Sequence, residues 1–278
     1  MAPDPFECYE LCVQSPGTLV TFLRAVHGQR ATVLREDFCG SAALSRRWIL
    51  EGLKAGEVWR ATGVDVDADA LARAADGARA AGVEDAIEFR RADAVHTQIE
   101  TTDGCDIVFV GNFSLGYIHR RADLLAYLRA SRRRLALGNA GLGGGVFVCD
   151  TYGGASAYKP GMLRRTQPAR RHGIIHYIWV HESADPITGI VENSISFQFE
   201  VDGEIVRELP RAFTYRWRLW SVHEIREAML EAGFVSVDVY KDLNVAPHQP
   251  ARPVRSPAEL TADGADDWVV AIAGRTEA

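Results

Sequence analysis

The chain has 278 residues, 47% of them hydrophobic and 24% charged, the balance of a globular protein able to bury a core. A formal net charge of −6 and a pI near 5.8 argue against a general binder of nucleic acid or membrane surfaces. Five cysteines (Cys8, Cys12, Cys39, Cys105, Cys149) form no C-x-x-C pair. They read as reduced, buried thiols of a cytoplasmic protein rather than a disulfide frame or a metal site. No apolar run approaches the roughly 20 residues that cross a bilayer. "MAPDPFECYE" has neither the basic start nor the apolar core of a secretion signal.

Leu19, Phe22, Leu23 and Val26 have the spacing of an amphipathic helix, which Gly28 ends. "ATVL" is a short strand, and the turn "VLREDFCGSAALS" leads into a helix from Ala42 to Leu50. "VWRATGVDV" is a second strand, followed by a helix marked by Leu71, Ala74, Ala75 and Ala78. "IEFRRAD" and "CDIVFVG" are strands three and four. Leu124, Leu125, Leu128 and Leu135 give another helix, and "GGVFVCD" is strand five. This alternation of helices with apolar strands predicts a parallel sheet covered on both faces.

The rhythm changes after Asp150. "GIIHYIWVHE", "GIVENSISFQFEV" and "EIVRELPRAFTYRWRLW" are long β-rich runs, divided by "SADPIT" and by Asp202-Gly203. Asp-Gly accepts the positive φ values of a type I′ turn, so the second divider predicts a hairpin. Ser221 and Glu224 form a capping box that restarts a helix running to Gly233. "FVSVDVY" and "WVVAIAG", joined by a long proline-rich loop, are strands six and seven and predict a closing hairpin. The expected fold is α/β: a doubly wound, seven-stranded, mostly parallel sheet with a C-terminal antiparallel hairpin, plus an antiparallel β insertion. The expected boundaries are a helical cover over 1–30, a main domain from 31–151 and 221–278, and an insertion at 152–220 that covers the active site or supplies a dimer contact.

In a doubly wound sheet, ligands bind at the carboxyl ends of the strands near the switch in strand order. Four successive strand ends carry polar or small residues: Glu36-Asp37 with Gly40, then Asp65, then Asp93, then Asn112 with Ser114. One acidic residue at a strand end means little, but four in register rarely arise by accident.

These residues resemble the motifs of class I, Rossmann-like S-adenosylmethionine-dependent methyltransferases over about 30–150 and 221–275. The family's acidic-x-Gly-x-Gly-x-Gly loop stands here as Glu36-Asp37-Phe38-Cys39-Gly40-Ser41-Ala42, with Phe38 and Ala42 in place of the outer glycines. The resemblance implies S-adenosyl-L-methionine as cofactor, held by Glu36, Phe38, Gly40, Asp65, Val66, Asp93, Ala94, Asn112 and Ser114. It implies that Asp65 accepts the ribose hydroxyls, that Asp93 receives the adenine amino group beside the Ala94 N–H, and that Asn112, Ser114 and Tyr117 lie under the transferable methyl. Asp67 reads instead as the N-cap of the next helix, and a structural Asn turn at 112 stays open. "YELCVQSP", "LREDFCGSAALS" and "FTYRWRLWSVHEIREAMLEAGF" together also resemble a bacterial group of methyltransferase-like proteins of undefined substrate.

The candidate acceptor residues come from the insertion. Tyr152 to Glu182 holds Lys159, Arg164, Arg165, Arg170 and Arg171 against the single acid Glu182, with His172, His176 and His181. This reads equally as a clamp for an anionic acceptor and as a solvated basic loop. The expected substrate contacts are Tyr117, Tyr152, Arg170, Arg171, Tyr177 and Trp179. An amine acceptor has only to be neutral, whereas a hydroxyl needs a base, for which His119, His176 and His181 are the candidates. His176 and His181 fall on opposite faces of a strand, so no metal site is expected. The reading is a methyltransferase of a small molecule, acting on N or O, as a homodimer without nucleic-acid or membrane partners. An RNA or protein acceptor, and a non-catalytic relative, are the alternatives.

Overall fold

The computed structural model describes residues 3–97, 104–138, 144–169, 173–256, 259 and 266–277. They divide into two compact units, an α/β unit (16–152, 220–263 and 269–278) and an antiparallel unit (1–15, 153–219 and 264–268).

The α/β unit is built on a seven-stranded sheet. Its strands are β1 (Val33–Asp37), β2 (Arg60–Asp65), β3 (Ile87–Arg91), β4 (Ile107–Val110), β5 (Val146–Gly153), β10 (Ser236–Tyr240) and β11 (Trp268–Arg275). The spatial order is β10-β11-β5-β4-β1-β2-β3. β1 pairs in parallel with β2 and β4, β2 with β3, and β4 with β5. β10 and β11 pair antiparallel, the closing hairpin that the sequence predicts. The chain first winds outward from β1 to β3 and then returns to lay β4 on the other side of β1. That reversal opens a crevice at the carboxyl ends of β1 and β4.

The covering helices are α2 (Pro16–His27), α3 (Ala43–Ala55), α4 (Ala68–Ala81), α5 (Arg121–Arg134) and α6 (Val222–Glu231). α2 buries Val20, Phe22, Leu23 and Val26 in one core with Trp48 and Ile49 of α3 and Leu34, Ile107 and Val148 of the sheet. β4 and the first four residues of β5 are buried on both faces, which is why they read as continuous apolar runs. Asp67 does cap α4, its Oδ1 accepting the N–H of Asp69 and Ala70.

The antiparallel unit is a four-stranded sheet in the order β6-β7-β8-β9: β6 (Gly161–Pro168), β7 (Ile174–Asp185), β8 (Ile190–Val201) and β9 (Glu204–Arg218). Asp202 and Gly203 join the last two strands with φ of 52° and 86°, the two positive values of a type I′ turn. One sheet face buries Ile175, Tyr177, Ile195, Phe197 and Phe199 against Cys8 of α1 (Pro5–Cys12). The opposite face is charged: His176 meets Glu200 at 2.6 Å, and Arg211 and the Ser194 hydroxyl both donate to Glu182. The helices expected as one cover over 1–30 therefore separate. α1 closes this sheet's apolar face, and α2 belongs to the α/β core. β6 is exposed at every position, so no alternation of apolar and polar residues marks it in the sequence.

Ser221 caps α6 by accepting the Glu224 N–H, while the Glu224 carboxylate accepts from the Ser221 N–H and hydroxyl. Ser221→Ala is expected to lower stability by about 1 kcal/mol in chemical denaturation, and Ser221→Asn, which retains a capping acceptor, to lose much less.

Candidate functional site

Strand register sets the floor of the site. Asp37 aligns with Val64 and Val110, Asp65 with Arg91, and Val110 with Cys149. The loops beyond these residues therefore leave one edge of the sheet side by side. Together these strand ends and loops carry Gly40, Asp65, Asp93, Asn112 and Asp150.

The loop from β1 to α3 has an unusual backbone. Phe38, Gly40 and Ala42 have φ of 57°, 52° and 52°. These are the positions of the three glycines in the motif that the stretch resembles. The left-handed shape is kept although two side chains stand where glycine would adopt it freely, at about 1–2 kcal/mol for each L residue. Asp65 holds the middle of the loop: its Oδ2 accepts the Gly40 N–H at 2.7 Å, and its Oδ1 accepts the Asp67 N–H at 2.9 Å. A Cβ placed on Gly40 would meet no heavy atom within 4 Å, so the main chain is open on that side.

Behind the loop lie two buried carboxyl groups. Glu36 Oε2 accepts the Ser45 N–H at 3.0 Å and the Ser45 hydroxyl at 2.6 Å, which ties the first turn of α3 to β1. Burial pushes the Glu36 carboxyl up to about 7, against the pull of the Ser45 hydrogen bonds and Arg46 and with a further push from Asp65. Glu36 thus points into α3 and serves the loop from behind. On the other face of β1, Asp37 pairs with Arg35 at 2.8 Å, both side chains wholly buried, and accepts the Tyr127 hydroxyl at 2.8 Å. Removing one member of such a buried set strands the others, which is far costlier than never having built it.

The other residues expected from the sequence have varied surroundings. Asp93 folds back on its own turn, its Oδ1 accepting the N–H of Val95 and His96, its Oδ2 2.7 Å from His96 Nδ1. Burial works to raise the Asp93 carboxyl, but these hydrogen bonds outweigh it and hold the group below the usual range. Ala94 is buried beside it and Val66 is exposed. Ser114 is buried at the start of a single 3₁₀ turn, Ser114–Tyr117, which stacks the Tyr117 ring on Phe38 with centroids 6.1 Å apart and planes 16° apart. The Tyr152 ring lies 4.6 Å from that of Phe113. His119 is half-buried just after this turn, where Ile118 accepts the Trp220 indole N–H.

The residues expected from the insertion are dispersed over the antiparallel sheet. Tyr177 is buried in the cluster under α1, so it packs rather than reaching a ligand. Trp179 and His181 share that face farther along β7, beside Tyr215. His176 lies on the opposite, charged face with Glu200. Arg164 and Arg165 alternate on β6, Arg164 donating to Gln198, so they form no common clamp. Arg170, Arg171 and His172 lie outside the described residues.

The sequence reading missed Ser45, Tyr127 and Asp150. Asp150 had a visible signal: it ends the apolar run "GGVFVCD", just as Asp65 and Asp93 end theirs. Ser45 and Tyr127 had none, because each meets its carboxylate only across the helix-sheet interface.

Glu36 keeps its proton to about pH 7 when folded, whereas the unfolded chain releases it near the ordinary value of 4.5. Its contribution to stability is fully present below pH 4.5 and is lost as pH rises through 7, on the order of 3 kcal/mol at most. Thermal melts from pH 5 to pH 8 should show Glu36→Gln losing less stability than the wild type over that range.

No protein-family model and no curated protein matches the sequence. Solved structures do. An S-adenosylmethionine-dependent methyltransferase from Clostridium acetobutylicum superposes with a TM-score of 0.63 at 18% identity, over 97% of this chain and 96% of that one. The sugar N-methyltransferase KedS8 from a Streptoalloteichus species gives 0.64 at 15% identity, over 100% and 94%. CalS10 from Micromonospora echinaspora, an amino pentose methyltransferase solved with S-adenosylmethionine bound, gives 0.64 at 15%, over 99% and 98%. The strand order, the closing hairpin and these superpositions together give the chain the Rossmann-like fold of the class I S-adenosylmethionine-dependent methyltransferases.

Proposed function

We propose that the protein is an S-adenosylmethionine-dependent methyltransferase whose acceptor is an amino group of a small molecule. The observation that carries this reading is the joint between Asp65 and Gly40 at the switch point of the sheet. Each Asp65 oxygen takes one backbone N–H and keeps a lone pair for a further donor, which suits the two vicinal hydroxyls of a ribose. The open side of Gly40 leaves room for the amino-acid part of the cofactor against bare main chain. The Asn112 and Asp93 turns follow β4 and β3 at the same carboxyl end of the sheet.

The cofactor brings an electrophilic methyl group on its sulfonium. What the chain has to supply is position and the exclusion of water, through the Phe38–Tyr117 stack and the loop after β4. An amine is favoured as acceptor because it needs only its free lone pair, and because the neighbours KedS8 and CalS10 are described as sugar N-methyltransferase and amino pentose methyltransferase. Arg164 and Arg165 alternate along β6, so these two guanidinium groups form no common clamp for an anionic acceptor. A homodimer is supported by the open edge of β6, where Met162 and Leu163 are exposed. A cytoplasmic location is supported by the five free thiols.

Calorimetric titration with S-adenosylhomocysteine tests the cofactor. Asp65→Ala should weaken binding by about 2–3 kcal/mol, the loss of a charge-assisted bidentate contact. Gly40→Ala should lower stability by only about 1 kcal/mol, from its positive φ, yet weaken binding at least about tenfold because the new methyl fills the open side. Equal affinity in wild type and Asp65→Ala would remove Asp65 from the site, and no binding by the wild type would end the reading. Turnover of amino sugars but not of the matching hydroxy sugars supports the amine acceptor; the reverse preference refutes it.

A further inference from the structure

The fifth strand end takes no part in the contacts assigned above. β5 is apolar from Val146 to Cys149 and then delivers Asp150, whose carboxylate turns wholly onto the loop after β4. Oδ2 accepts the Asn112 N–H at 2.9 Å, and Oδ1 accepts the Phe113 N–H at 2.6 Å. Asn112 and Phe113 are consecutive L residues with φ of 55° and 62°, a region that such residues avoid. In this shape their two N–H groups converge on one carboxylate. The loop in turn positions its neighbours: the Phe113 ring against Tyr152, and the short turn that sets Tyr117 over Phe38.

We propose that Asp150 is a positioning residue whose ionised carboxylate clamps the Asn112–Phe113 loop in the shape that the cofactor site needs, and whose protonation releases that loop. The inference rests on the methyltransferase reading. Asp150 itself touches neither reacting group; it acts through the main chain of 112–113 and the ring of Tyr117.

Burial pushes the Asp150 carboxyl up to about 7, while the N–H groups of Phe113, Asn112 and its own residue pull it back down. The groups facing it from the loop are uncharged. On β5 the titratable neighbour is the Cys149 thiol, which burial holds well above its ordinary value. Above pH 7 the carboxylate accepts both N–H groups. Below it, one oxygen carries a proton and becomes a donor facing a donor, so the clamp is half lost. Affinity for the cofactor should therefore fall as pH drops through about 7. Glu36 also titrates near there, and His96 is raised above its ordinary value by its hydrogen bond with Asp93, so the test has to separate the three.

The experiment is calorimetric titration of S-adenosylhomocysteine at pH 6 and pH 8, with hydrogen exchange of the 111–118 peptide, corrected for intrinsic rates, in the same buffers. The wild type is expected to bind roughly five- to tenfold more weakly at pH 6 and to exchange faster in that peptide. Glu36→Gln and His96→Gln should keep this difference. Asp150→Asn should bind about tenfold more weakly than wild type at pH 8, with the pH difference gone. If Asp150→Asn does not fold, the wild-type exchange data and the two control variants still decide the matter. Flat affinity in a binding-competent wild type, exchange at 111–118 that ignores pH, or loss of the pH difference in Glu36→Gln or His96→Gln overturns the proposal. A wild type that binds at neither pH overturns the methyltransferase reading and this inference with it.

Discussion

A carboxylate accepting a backbone N–H at the end of a strand is the interaction on which the rest of the site depends. The loop after β1 takes left-handed conformations at Phe38, Gly40 and Ala42, and two of these residues have a Cβ that resists them. Such a loop persists only where its surroundings over-determine it. Here Asp65 grips it at Gly40, while Glu36 holds the first turn of α3 through Ser45. A charge-assisted bond such as that from the Gly40 N–H to Asp65 contributes about 1.5–3 kcal/mol, enough to offset the strain of one or two residues.

The same device recurs at the loop after β4, where Asp150 holds Asn112 and Phe113. The two strained loops flank the switch between β1 and β4, and their rings meet in the Phe38–Tyr117 stack. This gives Phe38 a use that glycine could not have. The residue that departs from the glycine motif supplies one wall of an aromatic contact, and the carboxylates behind the loop bear its conformational cost. Carboxyl groups recruited for this purpose are desolvated, and that is why Glu36 and Asp150 both rise to about 7.

The antiparallel unit solves a different problem. Its long strands have one face rich in aromatic and β-branched residues, which α1 covers through Cys8 and its neighbours, and one face that carries ion pairs. Placing Tyr177 on the first and His176 on the second is a consequence of strand alternation alone. Which face is covered depends on where the amino-terminal helix packs.

Much of this was legible in the sequence, because it depends on local chemistry. The apolar runs marked strands of the sheet, Asp202-Gly203 the hairpin, Ser221 and Glu224 the capping box, and acids at successive strand ends the loops that leave the sheet side by side. Each of these is a short-range rule written in neighbouring residues. Three things were decided only by tertiary structure. Glu36 turned inward to Ser45, since β1 alternation put it under α3. Asp150 became a clamp, since the 2.6–2.9 Å contacts join residues 37 and 38 positions apart. Arg164 and Arg165 do not converge, since they alternate along an exposed edge strand whose two faces carry no contrasting pattern. Sequence determines which groups are available and how often they recur along an element. Only the packing of one element on another decides which of them lose water, and so which of them acquire a partner, a shifted proton or a role.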